Sequence, residues 1–348
     1  MKYARIAALV AGLFAAPVLV HAENANVTVY GIAQAGVSIV NNDDVTKTII
    51  EDTGSRIGFK GEEDLGNGLS AFFKIESKVR LDDASASGFA NREGWLGLKG
   101  DFGTVKLGRG KTYFDLAQEN FDGFNGNSTM INSLLIDGVY YRSSNNIAYE
   151  TPNLGGFVGK LQYGDMEGKT NNVTPSAVIG SLEYNVGSLQ LIGAFESQRD
   201  LAPVIADGTK PVLDGARIKN YLLGAGYTLP AGTNFKLAYR QSNFSLGPVD
   251  TDRDTIIGVV SQPFGNATAR IGYTHVGDLD GLDNSGGNYL ALGVDYAVSK
   301  RTIVYTEFSR ATNEKNNVSL LETSAGQGGA IGTKRNNSAW TTGIIHLF

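Results

Sequence analysis

Most of the chain is patterned with a period of two. Leu69, Ala71, Phe73, Ile75 and Val79 share one parity, while Ser70, Lys74, Glu76, Lys78 and Arg80 share the other, with Phe72 the exception. Phe157, Gly159, Leu161 and Tyr163 alternate with Val158, Lys160, Gln162 and Gly164. Phe235, Leu237 and Tyr239 alternate with Lys236, Ala238 and Arg240, and Ala269, Ile271 and Tyr273 with Thr268, Arg270 and Thr274. This pattern predicts strands with one apolar and one polar face. Residues 87–99 and 301–310 alternate poorly.

Turn signals separate these segments. Asp64-Leu65-Gly66-Asn67-Gly68, Gly100-Asp101-Phe102-Gly103, Pro152-Asn153-Leu154-Gly155-Gly156 and Asn185-Val186-Gly187-Ser188 come first. Leu229-Pro230-Ala231-Gly232, Pro263-Phe264-Gly265-Asn266 and Val298-Ser299-Lys300 follow. Gly and Asn tolerate positive φ and Pro fixes φ, so these are tight turns. Their spacing leaves room for two strands and one longer polar loop between each pair, so tight turns and long loops are expected to alternate strictly. Seven tight turns join fourteen strands; residues 27–39 add one before them and residues 338–348 one after, which predicts sixteen.

Alternation does not say which face is inside. A soluble sandwich buries the apolar face, whereas a transmembrane barrel turns it to lipid and keeps a wet lumen. Strands of about nine to eleven residues suit a tilted membrane strand better than a sandwich strand. Tyr149, Tyr184, Tyr227, Phe264 and Tyr296 also sit beside the tight turns, where an interfacial aromatic girdle belongs. An open sheet edge cannot be satisfied in lipid, so the sheet must close. The predicted fold is an all-β, sixteen-stranded antiparallel transmembrane β-barrel.

Composition sharpens this picture. The 348 residues include 45 Gly, 15 Tyr and 16 Phe but only 8 Pro, a bias that suits a large β protein. Cys is absent, which excludes disulfides, zinc–thiolate centres and cysteine nucleophiles. Lys2 and Arg5 precede an apolar run at residues 6–20 and a small-residue exit, Val20-His21-Ala22. This reads as a signal peptide, residues 1–22, cleaved after Ala22, with the barrel in residues 23–348. Losing Lys2 and Arg5 leaves 28 basic against 35 acidic side chains, a net charge of −7. No nucleic-acid partner is expected.

At this point specific residues resemble a known family. Thr28-Val29-Tyr30-Gly31, Ser55-Arg56-Ile57-Gly58-Phe59-Lys60-Gly61, Asn91-Arg92, Leu107-Gly108-Arg109 and the terminal His346-Leu347-Phe348 are similar to the general porins of Gram-negative outer membranes. The nearest flavour is that of the neisserial and other β-proteobacterial trimeric porins. Leu347 and Gln34 depart from the pattern, where the family often has a basic and an acidic residue. The resemblance implies a homotrimer among outer-membrane lipids, short periplasmic turns, long extracellular loops and a third loop folded into the barrel. It also implies that Phe348 is an assembly signal read by the barrel-assembly machinery.

The resemblance further implies a charged constriction. The gap between the second and third tight turns is the longest, so residues 110–139 match the inward loop, with Asp115, Glu119, Asp122 and Asp137 as its acids. Motif by motif, Arg56 and Arg92 match the family's arginine ladder, and Arg142 matches less closely. Parity places Lys74 with the basic wall, and Glu76 is assigned to the acidic side. Opposed charges across a narrow aqueous gap create a transverse field. Ordinary solvated lumen charge is the bland reading of each residue alone.

Other chemistry has little material. Gly110-Lys111-Thr112 lacks the first glycine of a phosphate loop, which would fall on Val105. After the signal peptide only His275 and His346 remain, too few for a His-rich metal site. Asp278, Asp280 and Asp283 read as solvated loop charge rather than a calcium site. No catalytic residue, metal or cofactor is assigned. The expected function is passive diffusion of ions and small hydrophilic solutes, weakly anion-selective. A substrate-specific channel would need an aromatic track, and an outer-membrane lipase would need a nucleophile beside His346.

Overall fold

The structure is a computed structural model. It describes residues 26–41, 45–83, 88–124, 142–164, 167–170, 173–202, 212–317 and 336–348. The segment read as a signal peptide, residues 1–22, and Asp137 lie outside these residues.

The first strands are β1 (Asn26–Asn41), β2 (Thr46–Glu51), β3 (Arg56–Gly66), β4 (Leu69–Lys78), β5 (Glu93–Gly100) and β6 (Gly103–Lys111). A short helix α1 (Tyr113–Glu119) leads to β7 (Arg142–Glu150), β8 (Phe157–Gly164), β9 (Ser176–Val186), β10 (Leu189–Leu201) and β11 (Val212–Thr228). Then come β12 (Asn234–Leu246), β13 (Val249–Phe264), β14 (Ala267–Val276), β15 (Gly287–Ala297), β16 (Thr302–Asn313) and β17 (Asn336–Leu347). Each strand from β3 onward pairs antiparallel with the next, and β17 returns to pair with β1, closing the sheet. β2 and β3 both pair with β1, β2 along Gly36–Asn41 and β3 along Asn26–Ile32, so together they form one interrupted stave. The closed barrel therefore has sixteen staves.

The break between β2 and β3 is organised by Asp52, which is fully buried. Its carboxylate accepts the backbone N–H groups of Gly54, Ser55 and Leu81, while its own N–H donates to Asp82. One side chain thus supplies acceptors to backbone donors that the sheet leaves unpaired.

The apolar parity points outward. Leu96 and Leu223 are 66% and 68% exposed, which a sandwich core would forbid. Polar side chains such as Gln34, Ser38, Glu76, Gln162, Asn220 and Thr274 are buried on the inner face. Of the girdle aromatics, Tyr149, Tyr227, Phe264 and Tyr296 are exposed, and Tyr184 stacks on Phe157 at 4.1 Å between ring centroids.

The tight turns form where their residues predict. Asn67 and Gly68 take φ of 54° and 75°, the left-handed pair of a type I′ turn. Strict alternation of tight turns and long loops fails on the long-loop side, where only residues 42–45 join β1 to β2. On the same side, β12 and β13 are joined only by Gly247-Pro248, with Gly247 at φ 58°. The strands on either side run to Leu246 and from Val249, and their added pairs replace the loop. β5 alternates poorly because Gly94, Gly97 and Gly100 blur both parities. In β16 the outward set includes Thr306 and the inward set Ile303 and Tyr305, so both faces are mixed.

At the seam, the backbone N–H of Gly31 donates to Phe348 O at 3.0 Å and that of Phe348 to Gly31 O at 3.2 Å. The Phe348 ring lies over Gly31, where a Cβ would come within 2.3 Å of it. Deleting Phe348 removes a closing pair and the ring that covers the seam. The deletion should lower the yield of heat-modifiable barrel while leaving export across the inner membrane unchanged. Gel mobility of heated and unheated samples checks this, and wild-type yield would refute the seam role.

Candidate pore constriction

The inner face of β3–β5 gathers charge. Arg56, Lys60, Lys74 and Lys78 share the inward parity of β3 and β4, and Arg92 enters from the residue before β5. Arg92 Nε donates to Glu76 Oε1 at 2.7 Å, with Arg56 Nε and Lys74 Nζ at 3.8 and 3.9 Å from Glu76 Oε2. Lys74 also pairs with Glu93 at 2.7 Å. Glu76 is buried and stands in the middle of the basic wall, not across the lumen from it. Glu62 shares the inward parity of β3 as well, so five cations stand against three carboxylates on this face and it keeps a positive excess.

Tyr30, on β1, holds the patch together; the sequence shows it as a motif residue and gives it no part in the site. Its hydroxyl donates to Glu76 Oε2 at 2.9 Å, and Lys60 and Lys74 stand 5.5 and 5.9 Å from its ring centre. The ring occupies space that only glycine leaves, since a Cβ at Gly58 would lie 2.3 Å from it. The signal was in the register: Tyr30 faces Gly58 directly across the sheet.

The long loop after β6 turns into the lumen. β6 continues to Lys111, so the loop begins at Thr112 rather than at residue 110. Thr112 caps α1 by accepting the N–H of Asp115 at 3.0 Å. α1 lies against β8, β9, β10 and β11, and the Tyr113 N–H donates to Gln162 at 3.2 Å. The chain then crosses the far wall. Phe121 sits on Gly224 of β11, Gly123 against Val259 of β13, and Phe124 on Gly293 of β15. Tyr113, Phe114, Ala117, Phe121 and Phe124 join Ile179, Ile192, Leu222, Ile257 and Ala291 of the inner wall in one apolar cluster. The arc covered, β8 to β15, lies opposite β3–β5 in the strand order.

Magnitudes show what fixes the loop. Burying each Phe contributes about 1.5–3 kcal/mol. A partly exposed ion pair such as Lys111–Glu119 contributes about 0–1 kcal/mol. Apolar burial in glycine notches, not charge pairing, therefore sets the loop's position. Arg240 and Lys236 add hydrogen bonds to Gln118 Oε1, at 3.1 Å, and to the Asn120 carbonyl.

The loop acids divide. Asp115 is buried, and burial holds its carboxyl above the usual carboxylate range despite Lys111 at 4.0 Å. Glu119 is partly exposed and pairs with Lys111. Asp122 is half-buried and accepts the Phe124 N–H at 3.0 Å. Arg142 stands at the root of the loop, opposite Lys111 and beyond a bulge where Asn145 takes φ 56°. Arg109 links it to the ladder, donating to the Asn91 and Arg142 carbonyls, each at 3.3 Å. The structure thus brings Arg56, Lys74, Arg92 and Glu76 together, with Arg142 apart. Asp278, in the loop before β15, clasps its own loop by accepting the N–H groups of Asn284, Ser285 and Gly286.

A closed barrel with an apolar exterior, a wet charged interior and one loop narrowing the lumen is the build of an outer-membrane diffusion channel. The profile of the Gram-negative porin family matches residues 6–316. The major outer membrane protein P.IA of Neisseria meningitidis serogroup C is 30% identical over 314 residues, 78% of this chain and 80% of that protein. The anion-selective porin from Comamonas acidovorans aligns with TM-score 0.76 at 25% identity, over 93% of this chain and 100% of its own. The trimer form of in-vitro folded OmpT from Vibrio cholerae shares the fold at 16% identity and TM-score 0.68, over 94% of this chain and 100% of its own. The chain belongs to the Gram-negative porin family. It resides in the outer membrane, and its general role is that of a diffusion channel.

A side chain at position 224 must displace Phe121. Gly224→Val should therefore change single-channel conductance while the barrel still assembles and shows normal heat-modifiability. Conductance equal to wild type would mean that the loop is held elsewhere.

Proposed function

We propose that this porin passes ions and small hydrophilic solutes passively, with a weak preference for anions set by the β3–β5 patch. The observation that carries this reading is the positive excess there, opposite the docked loop. A narrow gap with low-dielectric walls focuses the field of its lining charges and raises the local concentration of counter-ions. Arginine stays charged at any relevant pH. Glu119 and Asp122 oppose the patch from the loop side, which keeps the preference small. That a structural relative is described as an anion-selective porin supports the sign.

Selectivity is read from zero-current potentials in a salt gradient. The wild type should favour anions weakly. The bias should shrink with salt, as the Debye length falls from about 10 Å at 0.1 M to about 3 Å at 1 M. Replacing Arg56 and Arg92 together with Ser should move the channel toward cations. A wild type that clearly prefers cations, or a double variant with unchanged potential, would overturn the assignment.

The same reading proposes a homotrimer inserted by the barrel-assembly machinery, with Phe348 as part of its signal. The outward residues of β1 run Val27, Val29, Gly31, Ala33, Ala35, Val37 and Ile39, with Gly31 covered by the Phe348 ring. Small side chains let a neighbouring backbone approach closely, so this face is the proposed subunit contact. In mild detergent, crosslinking should trap three subunits, and Ala35→Trp should shift the population to single barrels. A wild type running as one subunit would exclude this contact.

A further inference from the structure

We infer that the inner wall at the closing seam, beside Arg56, is a subsite for organic monocarboxylates that carry a short apolar tail. Ile32 and Gln34 share the inward parity of β1, and Ile345 and Leu347 that of β17. Ile32 stands directly opposite Leu347 in the register, and Gln34 opposite Ile345. Ile303 of β16, also inward, continues the second row opposite Ile345. Tyr305 bounds the patch by lying over Gly343 and reaching Gly36, where a Cβ would come within 2.5 and 3.0 Å of its hydroxyl. Four aliphatic side chains thus meet on the lumen wall, outside the arc from β8 to β15 that residues 113–124 cover. The two positions at which the sequence departs from the porin pattern, Gln34 and Leu347, both fall here and leave this stretch uncharged.

The patch opens directly on the basic wall. Ile32 pairs with Arg56 across β1 and β3, so one register row runs Arg56, Ile32, Leu347. The Arg56 side chain is 30% exposed and Leu347 is 37% exposed, so the charged and apolar ends of this row both meet lumen water. Two strand spacings put Leu347 about 10 Å from Arg56 along the row. A carboxylate held by the Arg56 guanidinium can therefore lay a short alkyl chain over Ile32 toward Leu347. Chloride gains nothing from such a wall, because the wall offers only apolar surface to cover. A dicarboxylate of the same length must press its second charge against aliphatic carbon, which costs binding. A cation with the same tail meets Arg56 with the wrong sign. Charge and apolar area together select one chemistry, an amphiphilic anion. The inference rests on Arg56 as a pore-wall cation, as in the selectivity reading, and adds the class of solute that this wall holds.

Block of the chloride current through channels in planar bilayers tests it, with butyrate, hexanoate, adipate and hexylammonium as probes. A methylene fully removed from water is worth about fourfold in binding, so one half-covered on an open wall should be worth about twofold. Hexanoate should then halve the current at about one quarter of the butyrate concentration. Ile32→Thr with Leu347→Gln should bring hexanoate to the butyrate value, while the zero-current potential in a potassium chloride gradient stays that of wild type. Ile303→Thr keeps a β-branched side chain in β16, tests the wall apart from the terminal strand and should also lessen the hexanoate advantage. Arg56→Ser should weaken butyrate and hexanoate alike and keep their ratio. Adipate and hexylammonium should block wild type less than hexanoate does. Equal block by butyrate and hexanoate on wild type, a ratio unchanged in both wall variants, or hexylammonium block equal to that of hexanoate would overturn the proposal. A cation-preferring wild type that keeps the ratio, and loses it in the wall variants, would refute the selectivity reading and leave this subsite standing.

Discussion

An N–H or C=O group facing hydrocarbon has no water to turn to, and each one left unpaired costs several kcal/mol. That demand dictates closure of the sheet. Parting β1 from β17 would break a ladder of ten register pairs and cost on the order of tens of kcal/mol. No lumen salt bridge approaches this, at about 0–1 kcal/mol for a partly exposed pair. Seam residues therefore count for more than their size implies. Phe348 completes the ladder through its backbone, and its ring fits only because Gly31 has no side chain.

Closure also inverts the usual division of a protein into core and surface. With the apolar faces given to lipid, no hydrophobic core remains to organise the interior. The chain builds a small one inside the lumen. Residues 113–124 carry four aromatics to a wall where β9–β15 place Ile179, Ile192, Leu222, Ile257 and Ala291 on the inward parity. These positions break the apolar-out, polar-in rule, and they do so on the arc where the loop docks. The opposite arc keeps the rule and remains charged.

This division explains what the sequence made legible. Period two reports orientation strand by strand, so the barrel, its sixteen staves and the inward parity of Arg56, Lys74 and Glu76 could be read directly. The partners of those groups are non-local. Glu76 shares a parity with Lys74, but only the pairing of β3 with β4 and the approach of Arg92 put it inside the basic wall. Asp115 looked like any other loop acid because its burial depends on how α1 seats against β8–β11. Tyr30 was visible as a motif residue, but its role requires the cross-strand glycine that makes room for its ring. The aromatics of the loop showed no continuous track for the same reason: they face the wall and not the path of a solute.

Which lumen charges act on a passing ion depends on pairing more than on number. Lys106 with Glu150, Lys160 with Glu183 and Arg270 with Asp295 are matched pairs on the inner wall. Each is close to a dipole whose field falls off within the width of the lumen. The whole chain carries −5, yet that charge is spread through loops and matched pairs. At β3–β5 the cations outnumber the carboxylates, and Tyr30 supplies a neutral donor to Glu76 where a further acid would have cancelled the excess. The proposed anion preference rests on this local surplus, held on a sheet wall that faces a loop pinned by apolar contacts, and it does not require a positive net charge.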